Sequence, residues 1–147
     1  MPKAFPLEIV TPEKRFYAGD AEIVIVRTLS GDEGFMAGHA WACKLLATGE
    51  VWFRETSSKE FRYAAISEGF IDVRGNVMIY TDAAEWPEEI DVSRAEKKEQ
   101  LERDWLEKHK DYLADPEFAL EVEVHKQAIT RALNRKKVAD GEARQKH

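Results

Sequence analysis

Two clusters of the 147-residue chain carry side chains suited to chemistry: the run Ile90-Asp91-Val92-Ser93-Arg94-Ala95, and the bases Arg131, Arg135, Lys136 and Lys137. Guanidinium forks match phosphate oxygens, so Arg94 with Arg131 or Arg135 could clamp a phosphate. The simpler account is a helix start. Asp91 or Ser93 can cap free backbone N–H groups, Ser93 with Glu96 has capping-box spacing, and Arg94 would then be solvated. The four bases stand out on a chain of net charge −6 and suit an acidic protein surface better than a nucleotide.

Other candidates are weaker. His39 and Cys43 lie four residues apart and could share a helical face as two metal ligands, but zinc takes three or four and no neighbouring His/Cys cluster supplies the rest. Ser67, in Ile66-Ser67-Glu68-Gly69, lacks the pattern of a hydrolase nucleophile elbow. Gly31-Asp32-Glu33-Gly34 is followed by no Lys-Ser or Lys-Thr, so it reads as a tight turn and not as a phosphate loop. Trp41, Trp52, Trp86 and Trp105 are scattered, which suits core and interface anchoring; an exposed Trp41 would point to an interface.

The elements that position these residues fall into two halves. Of the last 60 residues 28 are charged, against 22 of the first 87, and seven of the eight glycines precede residue 76. The first half reads as short strands: Leu7 to Thr11, Ala21 to Arg27, Val51 to Arg54, Phe61 to Ile66, Phe70 to Val73 and Val77 to Tyr80. Turns separate them at Ser30 to Gly34, Thr48-Gly49, Thr56 to Lys59 and Arg74 to Asn76. That pattern predicts a two-sheet β-sandwich or a barrel.

The second half takes the helical period. Leu101, Trp105, His109 and Tyr112, with Ala95, Leu106 and Leu113, form one apolar stripe; Phe118, Val122, Ile129 and Leu133, with Ala119, Ala128 and Ala132, form another. Asp115-Pro116 divides them. The prediction is an N-terminal β-sandwich domain over 1–87 and a C-terminal antiparallel α-helical hairpin over 88–147, the hairpin docked on the sandwich or on a partner and the tail after Val138 frayed.

Composition narrows function. A net acidic chain is unsuited to general nucleic-acid binding or to anionic lipid anchoring, no run is long and apolar enough to span a membrane, and Met-Pro-Lys-Ala-Phe-Pro lacks a signal-peptide core. The expectation is a protein on the cytoplasmic side. One cysteine allows no internal disulfide.

The ordered set of segments resembles the ε subunit of bacterial and chloroplast F-type ATP synthases, the counterpart of mitochondrial δ. The resemblance rests on Pro6 to Glu13, on Gly31 to Ala40 with its Gly38-His39, on Ile66 to Val73, and on Val77 to Glu85 followed by Glu89 to Ala95, over about residues 5–138. It implies a β-sandwich with a helical hairpin, attached to the γ subunit and c-ring of the central stalk at the cytoplasmic face of the bacterial membrane. The implied function is a non-catalytic rotor subunit of a proton- or sodium-translocating synthase whose active sites lie in the α/β hexamer. In relatives the helices can extend to that hexamer and restrain hydrolysis, and some compact forms bind ATP. No cofactor would be required, and a regulatory ATP would map to Ile90, Asp91, Arg94 and Ala95, with Glu85 a weaker addition. This chain departs from the family's usual residues at Ala40-Trp41-Ala42, Glu68 and Tyr80. The alternative functions are a stand-alone ATP-sensing module and a small metalloenzyme at His39 and Cys43.

Overall fold

The computed structural model describes residues 3–141. Nine strands come first: β1 (Phe5–Val10), β2 (Arg15–Thr28), β3 (Gly31–Met36), β4 (Ala42–Leu46), β5 (Gly49–Glu55), β6 (Arg62–Ile66), β7 (Gly69–Val73), β8 (Val77–Thr81) and β9 (Ala84–Glu85). Two helices follow, α1 (Val92–Lys108) and α2 (Ala119–Ala139).

The strand order is β1-β8-β7-β4-β2-β5-β6-β9, with β3 on β2 and a further β1–β2 pairing. The 14-residue β2 makes this possible. Arg15 to Ala21 pair with β1, Ile23 to Thr28 pair with β3, and Thr28 reaches Leu46 of β4. The sandwich is therefore one hydrogen-bonded sheet folded over itself through β2. Alternating residues fill its core: Leu7 and Ile9 of β1, Ile71 and Ile79 of β7 and β8, and Val24, Val51 and Phe53 of β2 and β5 are all fully buried.

Two expectations change here. The predicted turn at Ser30 to Gly34 is mostly strand: Thr28 pairs with Gly31, so only Leu29 and Ser30 form the loop, and Gly34 pairs with Ile25. The loop is fastened by Thr28, whose hydroxyl donates to the Gly31 carbonyl at 2.8 Å and accepts from the Ser30 N–H at 3.1 Å. Gly31, at φ +116°, has the backbone angle that suits glycine. His39 and Cys43 share no helical face, because His39 sits in the loop after β3 and Cys43 in β4. Extended β-branched neighbours and the β2–β3 hairpin impose strand geometry on this whole region.

The helices begin where the caps allow. Asp91 caps α1, its carboxylate accepting from the Arg94 N–H at 3.1 Å, which places Ser93 inside the helix. Asp115 accepts from Glu117 N–H at 3.0 Å and opens the short turn Pro116–Phe118 that leads into α2. The seam between helices differs from the predicted stripes. Ala95 and Glu102 of α1, and Val122, Ile129 and Ala132 of α2, are buried, whereas Leu101 and Leu133 stay exposed. The seam advances by seven residues along α1, from Ala95 to Glu102 to His109, and so bypasses Leu101.

Glu102 is tolerated in that seam because it is paired on both sides, by the Lys98 ammonium at 2.7 Å and by His125 Nδ1 across the hairpin. Burial alone would push its carboxyl up, but these partners hold it below the usual range. Trp105 stacks on His125 at 3.7 Å, and Tyr112 stacks on Phe118 at 3.9 Å to close the tip.

One backbone approach is tight enough to be decisive. At Gly69 a Cβ would lie 1.8 Å from the Tyr80 carbonyl oxygen of the neighbouring strand. Gly69→Ala is expected to destabilise the fold by about 2–4 kcal/mol, since strand backbones must part to admit a methyl group. Chemical denaturation of the two proteins measures it.

Candidate functional site

The chain leaves the sandwich through a fixed point. Trp86 stacks on Phe16 at 4.5 Å, and the Arg62 guanidinium lies 4.3 Å over the Trp86 ring while also approaching Tyr17 and Phe53. Tyr17 donates to Glu55 at 2.9 Å, and burial together with that carboxylate pushes its phenol up to about 12. After this aromatic anchor a single helical turn, Pro87–Glu89, leads to Ile90, which is buried with Trp52, Tyr63 and Val138.

The four predicted junction residues are thus brought into one short segment with divided roles. Ile90 and Ala95 are buried and hold the segment against its neighbours; Asp91 is exposed and acts as the cap. Arg94 is exposed on the rim of a broad cleft of about 780 Å³ between the first helix and the sandwich, shared with Glu13, Glu85, Lys97, Lys98 and Arg135. An adjoining cavity of about 300 Å³ runs under α2 past Thr48, Ser67 and Arg131.

The second cluster forms the docking face of α2. Arg131 makes a two-point contact with Glu68, Nε to Oε1 at 3.1 Å and Nη2 to Oε2 at 2.8 Å. Arg135 does the same with Glu85, at 2.7 and 3.1 Å. Between them Asn134 donates to the Gly49 carbonyl at 2.9 Å, and one turn on Val138 is fully buried. Lys136 turns the other way, to Glu99 of α1 at 3.1 Å. The guanidinium of Arg131, with a 2.6 Å hydrogen bond from the Thr48 hydroxyl, holds the Glu68 carboxyl below its usual range, and Glu68 in turn raises Arg131.

Sequence reading placed Arg131 and Arg135 on a partner or a phosphate; the structure engages both within the chain. Their partners are 63 and 50 residues away, a distance no local pattern bridges. The available signals were the acid at Glu68 where a glycine is usual in the family resembled, and the weak mapping of Glu85. Ser67 is buried in the β6–β7 turn, its carbonyl accepting from the Thr81 hydroxyl at 3.0 Å. His39 places Nδ1 2.7 Å from the Ala40 carbonyl and packs against Phe35. Among the described residues no three or more His, Cys, Asp or Glu side chains converge as a metal site.

At the far end of the sandwich Leu29, Met36, Trp41 and Leu45 are exposed, Trp41 by 78%. Apolar groups of this size in solvent mark a surface that meets another protein.

Residues 4–87 match the family model described as "ATP synthase, Delta/Epsilon chain, beta-sandwich domain". The chain belongs to that family. It is 47% identical over 105 residues to the ATP synthase epsilon chain of Alkaliphilus oremlandii, covering 70% of this chain and 77% of the relative. With the epsilon chain of Caldicellulosiruptor bescii it shares 35% over 137 residues, 92% of this chain and 93% of the relative. A solved Euglena gracilis mitochondrial ATP synthase contains a chain of the same fold, at a TM-score of 0.64 and 21% identity, covering all of this chain and 84% of that one. As an ATP synthase epsilon-type chain, the protein is a non-catalytic central-stalk subunit that couples rotation within the complex. It works as a peripheral part of a membrane-associated assembly, and none of the described helices is long and apolar enough to cross a membrane.

The polar clamps and the apolar plug of α2 differ in energy. Arg131→Ala is expected to weaken docking by about 0.5–1 kcal/mol, because its pair with Glu68 is over a third exposed, whereas Val138→Ala should cost about 1–3 kcal/mol. The Glu68 contribution is present above the ordinary glutamate value of about 4.3 and lost as pH falls through its lowered folded value. Amide hydrogen exchange in α2, followed against pH, reads both.

Proposed function

We propose that this chain is the ε-type rotor subunit that fixes its sandwich to the γ subunit and the c-ring, at the cytoplasmic face of a bacterial membrane. Its hairpin alternates between the docked state and a state extended toward the α/β hexamer, where it restrains hydrolysis. The observation that carries this reading is the composition of the hairpin–sandwich contact. Two arginine–carboxylate forks, one asparagine and one buried valine join α2 to the sandwich. Polar pairs of this kind exchange partners at little net cost, so the same Arg131 and Arg135 can meet acidic groups of another subunit.

The exposed Trp41 end of the sandwich is the surface offered to the c-ring. Support comes from relatives named as epsilon chains, among them the sodium-ion-specific chain of Propionigenium modestum, 36% identical over 128 residues. The similar Tetrahymena thermophila chain, at a TM-score of 0.61 and 12% identity, belongs to a structure of a central stalk with its c-ring. Regulatory ATP would enter the cleft beside Ile90, Asp91, Arg94 and Ala95, with Arg94 on the phosphates.

Three measurements test the reading. Affinity capture of the full chain from solubilised membranes is expected to recover γ and c-ring proteins, and Trp41→Ala to reduce the c-ring share by about tenfold. Removing residues 88–147 is expected to raise hydrolysis by the reconstituted enzyme; unchanged hydrolysis refutes the inhibitory role. Calorimetry with millimolar ATP should give binding heat that Arg94→Ala reduces at least fivefold; no heat with the intact chain excludes the nucleotide role.

A further inference from the structure

The cleft beneath the hairpin is already supplied with anions by the chain itself. Both forked bases of α2 are engaged in two-point geometry, Arg131 by Glu68 and Arg135 by Glu85. A carboxylate and a phosphate offer a guanidinium the same pair of acceptor oxygens. Glu68 is also built to stay in place. It occupies the two-residue turn between β6 and β7; its carbonyl accepts from the Asp82 N–H at 3.2 Å, and its carboxylate takes the Thr48 hydroxyl at 2.6 Å. Glu85 lies in β9, paired to Ala65 of β6. Both carboxylates therefore project from rigid strand ends, which lowers the entropy lost when each salt bridge forms. The bases left on the rim, Arg94 and Lys97, are exposed, and Glu13 lies in the same cleft.

We infer that Glu68 and Glu85 act as internal stand-ins for a phosphate group, so that the hairpin docks without a nucleotide and a nucleoside triphosphate reaches Arg131 and Arg135 only by displacing them. This deepens the releasable-hairpin reading above and rests on it. Its consequence is a sensor biased to the docked state. Ligand occupancy would then change the pairing of the arginines more than the position of the helix.

The test follows the hairpin in the full chain by energy transfer between a dye on Cys43, which is exposed on the sandwich, and one on Leu120→Cys, which is exposed on α2. The chain labelled in this way is expected to show the docked distance without nucleotide and to keep it in 5 mM ATP (about the millimolar range in which weak sites fill). Glu68→Gln with Glu85→Gln should lower the docked-to-extended ratio by about tenfold, and ATP should restore it. Glu13→Gln, which removes a charge from the same cleft without touching either arginine pair, should leave the ratio unchanged. Docking of the native chain only after ATP is added overturns the inference, as does a double glutamine variant that docks like the native chain or fails to respond to ATP. Val138→Asp separates the two ideas. If it releases the hairpin while the double glutamine variant stays docked, the internal-anion inference fails alone; if neither releases it, with helical circular dichroism retained, the mobile-hairpin reading fails as well.

Discussion

The two-sided burial of β5 is the constraint on which the arrangement depends. Val51 and Phe53 point into the sandwich core, while Trp52 between them points out and is only 3% exposed. Stacked on Tyr63 at 4.6 Å, Trp52 gives the outer face of β5 and β6 an apolar platform. Such a face must be covered, and Ile90 and Val138, from opposite ends of the hairpin, cover it. The entry to the first helix and the exit of the second are thereby held at one spot.

Everything else in the contact is polar and lies along α2 at helical spacing from Val138. Arg131, Asn134, Arg135 and Val138 fall on one face, each meeting a different strand end or turn of the sandwich. A fully buried side chain of this size contributes about 1.5–3 kcal/mol, and each exposed ion pair about 0–1 kcal/mol. The plug thus supplies most of the affinity, and the forks supply register. Two bidentate pairs cannot both be satisfied after a one-residue slip of the helix, because such a slip rotates every side chain by about 100°.

Much of this was legible in the sequence. The alternation of Leu7 and Ile9, the continuous run through Val51, the Asp91 and Asp115 caps and the change of period after Pro87 each reflect a local rule, and each appears in the fold. The errors also have physical causes. Gly31 to Gly34 contain two glycines, yet hairpin pairing with β2 outweighs their turn preference. Leu101 and Leu133 fit an apolar period but lie beside the seam, because Glu102 and His125 make it partly polar. The Arg131 and Arg135 pairings depend on where the sandwich puts Glu68 and Glu85, and a linear pattern carries no information about contacts 50 and 63 residues apart.

A rotor part must resist torque at one end and yield at the other, and the junction separates these demands. Trp86 is locked by Phe16 and by the Arg62 guanidinium, an aromatic and cation–π contact whose apolar area water cannot replace. Beyond it, Pro87–Glu89 is one short turn with no buried residue, ended by Ile90 in extended geometry. Rotation of the hairpin away from the sandwich therefore has to be absorbed between Trp86 and Asp91, where few contacts oppose it. The Asp91 cap travels with α1, since its carboxylate bonds the Arg94 N–H of that helix. The helix start is thereby preserved as the hairpin swings, and what breaks is confined to Ile90, Val138 and the polar forks. Among these, the forks are the contacts that another charged surface can replace, which makes them the point where a partner's acidity acts on the hairpin.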